Sequence, residues 1–214
     1  MRTLLDLILP QACGGCGVAG TGWCASCAGC LAGPPRRVRP RTDPGVPCWA
    51  LGPYSGPPRR AVLAAKERGR RDLAAPLGLA LARGLDGLRS RDRPLLLVPA
   101  PSRRVAARRR GGDPVARAAR VATGWLSDSR CAPVLATRPG VRDSVGLGPL
   151  DRRRNLRDGI RATGDSLLAL LRCPNVEVVL VDDVLTTGAT ARESVRALAR
   201  AGVSAHGVLV TCAA

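Results

Sequence analysis

The chain has 214 residues, 45% of them hydrophobic and only 2% aromatic, and its 34 basic side chains against 16 acidic ones leave a net charge of +18. That length buries a full core as one domain plus a small appendage, and a mean hydropathy near zero reads as soluble and globular. No apolar stretch approaches the ~20 residues of a membrane span, and with Trp23, Trp49, Trp125 and Tyr54 as the whole aromatic set, base stacking is excluded as a main mode of nucleic-acid binding.

The opening Leu4, Leu5, Asp6, Leu7, Ile8 and Leu9 are too few for a secretory core, and Pro10 argues against a lipid anchor at Cys13, so a cytoplasmic location is expected. Two cysteine pairs come next, Cys13-x2-Cys16 and Cys24-x2-Cys27. Each pair can present two thiolates to one tetrahedral ion, with Gly14, Gly15 and Gly17 allowing the turn. A disulfide framework competes with this reading, but a cytoplasmic chain favours zinc, in a ribbon or treble-clef-like segment with no core of its own. Spacing alone leaves Cys30 or Cys48 open as a replacement ligand.

Residues 1–33 therefore form the cysteine segment, and 34–47, rich in Pro and Arg, read as an irregular, exposed linker. From residue 48 the pattern alternates. A short strand over 48–51 precedes a basic amphipathic helix over 58–67. A longer Ala/Leu helix over 72–89 is interrupted by Pro76, and a buried strand over 95–98 follows. Asp113-Pro114 is an N-cap with proline at the first helical position, starting a helix to about residue 126. A strand at 133–136 leads into an Arg- and Gly-rich excursion over 138–161, of the kind that forms a functional loop. The last strand is expected over 203–212. Strands alternating with helices predict an α/β fold with a parallel sheet.

The densest information lies in 178–190. Four apolar residues, Val178 to Val181, read as a strand buried on both faces. Asp182 and Asp183 stand where that strand ends. Thr186, Thr187, Gly188, Ala189 and Thr190 then form a hydroxyl-rich turn into a helix, a cradle for a phosphate. The carboxylates would repel that phosphate, so their natural partner is a diol or a metal-bound sugar beside it. His206 has no partner motif and reads as structural.

This run resembles the phosphoribosyl-diphosphate (PRPP) signature of type I phosphoribosyltransferases. The whole chain is similar to the ComF family of competence-associated proteins, in the order cysteine knuckles, Lys66-x-x-Gly69, Val98-Pro99-Ala100-Pro101, Arg110-Gly111, residues 147–155 and the Asp-Asp run. The resemblance implies a phosphoribosyltransferase-like parallel sheet over 48–214, flanked by helices, behind a small zinc-ribbon-like segment. It implies that Asp182 and Asp183 face the ribose hydroxyls and that 186–190 wrap the 5′-phosphate. Ala100, Pro101, Ser102 and Arg103 would bind pyrophosphate through backbone N–H groups and the guanidinium. Lys66, Arg154 and Asn155 would contribute lid or phosphate contacts, and Cys13, Cys16, Cys24 and Cys27 would hold structural Zn²⁺. Mg²⁺ would arrive with PRPP. Departures from the family pattern fall at Ser144, where a glutamine is common, and at Gly112 or Asp113, where an asparagine frequently follows the Arg-Gly.

Three functions follow from the resemblance. The first is a PRPP-binding protein of phosphoribosyltransferase fold supporting DNA uptake or DNA handling, its acceptor undefined, with single-stranded DNA and a DNA-uptake or helicase protein as partners. The second is a salvage or biosynthetic phosphoribosyltransferase in which the zinc segment only stabilises the fold. The third is a non-catalytic adaptor that uses its basic surface and zinc knuckles to bind DNA or a helicase-like partner.

Overall fold

The computed structural model describes residues 11–102, 112–138, 159–163 and 175–214. Within them, six strands form one sheet: β1 (Arg36–Val38), β2 (Cys48–Pro53), β3 (Leu95–Pro99), β4 (Ser129–Cys131), β7 (Glu177–Leu185) and β8 (Gly207–Ala213). Their order across the sheet is β1-β2-β8-β7-β3-β4. Only β1 runs antiparallel to its neighbour, so the α/β, mostly parallel architecture expected from the sequence is what forms. The strand expected at 133–136 lies elsewhere. Leu135–Thr137 (β5) pairs antiparallel with Ile160–Ala162 (β6) in a separate two-stranded sheet.

β7 sits in the middle, and its apolar run packs in both directions. Val179 and Val181 join Leu95, Leu97 and Leu209 on one face. Val178 and Leu180 join Val98, Val208 and Val210 on the other. The first face is covered by α2 (Gly56–Glu67), α3 (Ala74–Asp86) and α4 (Pro114–Thr123); the second by α5 (Ala189–Arg200) and the β5–β6 pair. A sheet buried on both faces leaves its strand ends as the open ground for ligands.

The helices start where proline allows. Pro57 and Pro58 lie in the first turn of α2 and Pro76 in the first turn of α3, where the missing N–H had no intrahelical acceptor in any case. A short 3-10 turn, Arg71–Leu73, therefore precedes α3, and the single helix expected over 72–89 is shortened to Ala74–Asp86. Glu193 on α5 is buried and receives Arg196 at 3.4 Å and Arg200 at 3.1 Å. Arg200 also donates to the carbonyl of Ile160 at 3.2 Å, which ties the β5–β6 pair to α5.

One expectation from sequence needs correction. Residues 34–47 are not an exposed linker throughout: Arg36–Val38 add a strand to the sheet, and Thr42 and Pro44 are buried. The cysteine segment, with no core of its own, packs on that of the sheet domain. Leu31 is fully buried among the α2 and α3 side chains, and Trp23 packs against the same cluster.

Candidate functional site

The first knuckle sits on a small hairpin. The Cys13 N–H donates to the Val18 carbonyl at 2.8 Å, the Gly17 N–H returns to the Cys13 carbonyl at 2.9 Å, and Ala12 bridges Ala19. The second pair is carried by a helix, α1 (Ala25–Gly29), which begins directly after Cys24. The segment is thus a hairpin plus a helix, where a ribbon would have two hairpins.

The sulfurs of Cys13, Cys16, Cys24 and Cys27 all lie within 4.8 Å of one another, and those of Cys16 and Cys24 are 3.6 Å apart. A tetrahedral four-thiolate site spaces its sulfurs by about 3.8 Å, so this set can hold one metal ion. The thiol of Cys13 shows how the backbone prepares it. Burial opposes its ionisation, but hydrogen bonding from the backbone of Cys16, Cys24 and Gly15 outweighs that and lowers its pKa to about 6. Burial and hydrogen bonds among the other thiols push Cys27 the opposite way. Close packing at Gly15 is obligatory, since a Cβ there would lie 2.6 Å from the Cys27 sulfur. Cys30 and Cys48 are not ligands. Cys30 is exposed against the Ser26 carbonyl, and Cys48 is buried in the far face of the sheet with its thiol pushed up to about 11 by burial.

The segment is fastened to the sheet domain by arginines. Arg70 donates to the carbonyls of Ala12 at 2.9 Å and Gly22 at 3.4 Å, and is itself held by Asp72 at 2.7 Å. Arg60 donates to the carbonyl of Gly15.

Asp182 and Asp183 lie on the last part of β7, before the turn to α5. Asp182 stands beside Val210 of β8, and its Oδ1 accepts the N–H of Asp183 at 2.8 Å. Both carboxylates border a pocket otherwise lined mainly by apolar side chains of α2, α3 and α4. That lining removes water from Asp182. Its pKa is pushed up to about 8 by desolvation and by the charge of Asp183, against the opposing charge of Lys66. Lys66, on the last turn of α2, reaches both oxygens of Asp183, at 2.9 and 3.1 Å.

The Lys66 side chain is 42% exposed, so the pair itself contributes at most about 1 kcal/mol to stability. Its effect is on the neighbour. Lys66→Met should raise the titration midpoint of Asp182 further, read by carboxyl-carbon NMR, while the melting temperature changes little. An unmoved midpoint would show that Lys66 does not set the charge of this site.

Past the strand, Thr186 is exposed and Thr187 and Thr190 are partly so, while Gly188 and Ala189 are buried. Gly188 caps α5 with φ of +83°, a left-handed conformation that a side chain resists. The Thr187 hydroxyl accepts the N–H of Ala189 at 3.4 Å. This loop and the Asp pair are one continuous feature: a strand end with two carboxylates, then hydroxyls and a helix N-terminus.

The neighbouring strand β3 ends alongside, with the Ala100 N–H donating to the Val181 carbonyl at 2.8 Å. The backbone donors expected there are already engaged. Pro99 and Pro101 have no N–H, Ala100 bonds to Val181, and the Ser102 N–H donates to the Asp113 carboxylate at 3.3 Å. Within 99–102 the group left to face a ligand is the Ser102 hydroxyl, which is buried without a partner among the described residues. Asp113 caps α4 by accepting from Val115 at 2.8 Å and Ala116 at 3.1 Å, so one carboxylate joins the helix to the loop. Pro101, Ser102, Asp113 and Arg120 border a second cleft beside it. Arg120 escaped the sequence reading because nothing local marks an arginine in the last turn of α4 as facing a cleft.

Arg103, Arg154, Asn155, Ser144 and the Arg110-Gly111 step lie outside the described residues. His206 is structural: its Nδ1 accepts the N–H of Val178 at 3.1 Å. Among the described residues, no helix is long and apolar enough to cross a membrane. No protein-family model matches the chain, and no curated protein matches it either.

Proposed function

We propose that the chain binds PRPP and belongs with the phosphoribosyltransferases of ComF type. The observation that carries this reading is the continuity of Asp182, Asp183 and the 186–190 loop at the end of the central parallel strand. Two carboxylates and one anion cradle a few residues apart call for a ligand with a diol at one end and a phosphate at the other.

Asp183 and ionised Asp182 would accept hydrogen bonds from the ribose 2′- and 3′-hydroxyls, with Lys66 keeping their joint charge in balance. The loop hydroxyls and first-turn N–H groups would take the 5′-phosphate. The Ser102 hydroxyl, with Arg103, would meet the pyrophosphate. Transfer proceeds by breaking the bond from C1 to pyrophosphate through an oxocarbenium-like state, which a nucleophilic nitrogen captures. The protein contributes positioning and charge stabilisation. Mg²⁺ would come with the pyrophosphate and largely keep its waters.

Four thiolates in a compact set suit zinc, and its role would be structural, since all four positions are filled by protein. The resemblance assigns the protein to DNA uptake or DNA handling, and a net charge of +18 supports attraction to polyanions.

Calorimetric titration tests both halves. PRPP with Mg²⁺ should bind, and single-stranded DNA should bind without sequence preference, its affinity falling steeply between 50 and 200 mM salt (roughly 300-fold if about six phosphates are contacted). Absence of PRPP binding would remove the transferase reading. DNA affinity indifferent to salt would remove the electrostatic one.

A further inference from the structure

Residues 39–45 leave β1 and cross behind the 186–190 loop before entering β2. The crossing is a close one. The Thr42 N–H donates to the Thr187 carbonyl at 2.8 Å, and Thr42 is 4% exposed. A Cβ placed on Gly188 would lie 2.4 Å from the Thr42 carbonyl oxygen and 2.7 Å from the Pro40 Cβ, so only glycine fits beneath the segment. The segment is fixed at both ends. Arg36, Arg37 and Val38 pair with β2, and the Pro47 carbonyl accepts the N–H of Val208 at 2.9 Å. Between these anchors the Asp43 carboxylate accepts the Gly45 N–H at 2.8 Å and turns the chain back.

A trans peptide is planar, and its C=O and N–H point in opposite directions. Holding the Thr187 carbonyl toward Thr42 therefore turns the Gly188 N–H away from Thr42. That side of the loop is where an anion at the start of α5 would sit. Left-handed glycine peptides at loops flip at little cost, because no Cβ opposes either orientation. Something outside the loop has to choose one.

We propose that residues 39–45 are a strap, and that the Thr42 N–H is a positioning group that locks the Thr187–Gly188 peptide in its phosphate-receiving orientation. The proposal rests on the PRPP reading above and adds a residue to it: a backbone donor more than 140 positions earlier in the chain serves the phosphate cradle.

The test separates the two ends of the ligand. Ribose 5-phosphate and magnesium pyrophosphate are titrated separately against the full chain. Thr42→Pro removes the N–H and should weaken ribose 5-phosphate about tenfold, the factor of one lost hydrogen bond, while magnesium pyrophosphate binds as before. Thr42→Ala, the conservative variant that keeps the N–H, should recover the affinity. A general loosening of the fold would instead weaken both ligands together. Equal affinity of Thr42→Pro and wild type for ribose 5-phosphate overturns the strap. A wild-type chain that binds no ribose 5-phosphate overturns the PRPP reading and the strap with it. Because Thr42→Pro can fail to fold, amide exchange on the wild-type protein gives a second measure. Ribose 5-phosphate should slow exchange at Thr42 as well as at 187–190, and slowing confined to the loop would refute the lock.

Discussion

Asp182→Asn should make the protein more stable and at the same time a poorer binder of PRPP. The cause is the burial that lifts the Asp182 pKa from the ordinary 3.8 to about 8, helped by the charge of Asp183 and opposed by Lys66. A folded-state pKa above the unfolded value means that folding favours the protonated acid. Stability is then greatest below pH 4 as far as this group is concerned, and it is lost as pH rises toward 8. Asparagine carries its own cost of burial, so the visible gain should be about 1–3 kcal/mol. Thermal melts at pH 5 and pH 8 check the sign, because the advantage of the variant must widen at the higher pH. Coincident melting curves at both pH values would show that Asp182 is not desolvated. Above pH 8, where Asp182 is ionised, PRPP affinity should drop by about 1–3 kcal/mol in the same variant, the cost of one charge-assisted hydrogen bond. In the wild type it should climb from pH 6 to pH 9 as Asp182 ionises.

The second large effect concerns the thiolates. Cys27→Ser should abolish the bound metal and lower the stability of the whole chain, by several kcal/mol given the ~10–16 kcal/mol that structural zinc contributes to small domains. A detached ribbon would unfold alone. Here Leu31 and Trp23 are part of the packing over α2 and α3, and Arg60 and Arg70 hold the knuckle carbonyls. Loss of the ion should therefore loosen the first face of the sheet too. Zinc content by elemental analysis, with melts in the presence and absence of a chelator, decides it. A chelator that removes metal without moving the main transition would show two independent units.

Much of this was legible in the chain because it is written locally. Four apolar residues followed by Asp182 and Asp183 announce a buried strand with a charged end, and the thiol pairs announce themselves by spacing. Asp113-Pro114 marked the start of α4, and Asp113 indeed accepts two of its first N–H groups. What escaped depends on long-range partners. Lys66 is marked in the sequence as a phosphate contact, and its pairing with Asp183 arises only when α2 packs across β7. Thr42 sits among prolines and arginines that spell a loop, and no local pattern tells that its N–H meets Thr187. Strands of three residues, such as β1 and β4, are shorter than any hydrophobic period can reveal. The donors of 99–102 were misjudged for a similar reason, since Val181 and Asp113 reach them from elsewhere in the chain.

The two short strands have a consequence of their own. Among the described residues they are the outermost members of the sheet, three residues each, while the strands between them run from five to nine. Their middle residues, Arg37 and Arg130, are exposed arginines, and Arg36 beside them is exposed too. An unpaired sheet edge is a template on which a second chain can add its own strand. On either flank such a visitor would find only three residues of ladder and a guanidinium in the middle of it. Short flanks with arginine at their middle work against such strand addition, and replacing those arginines with valine should favour it.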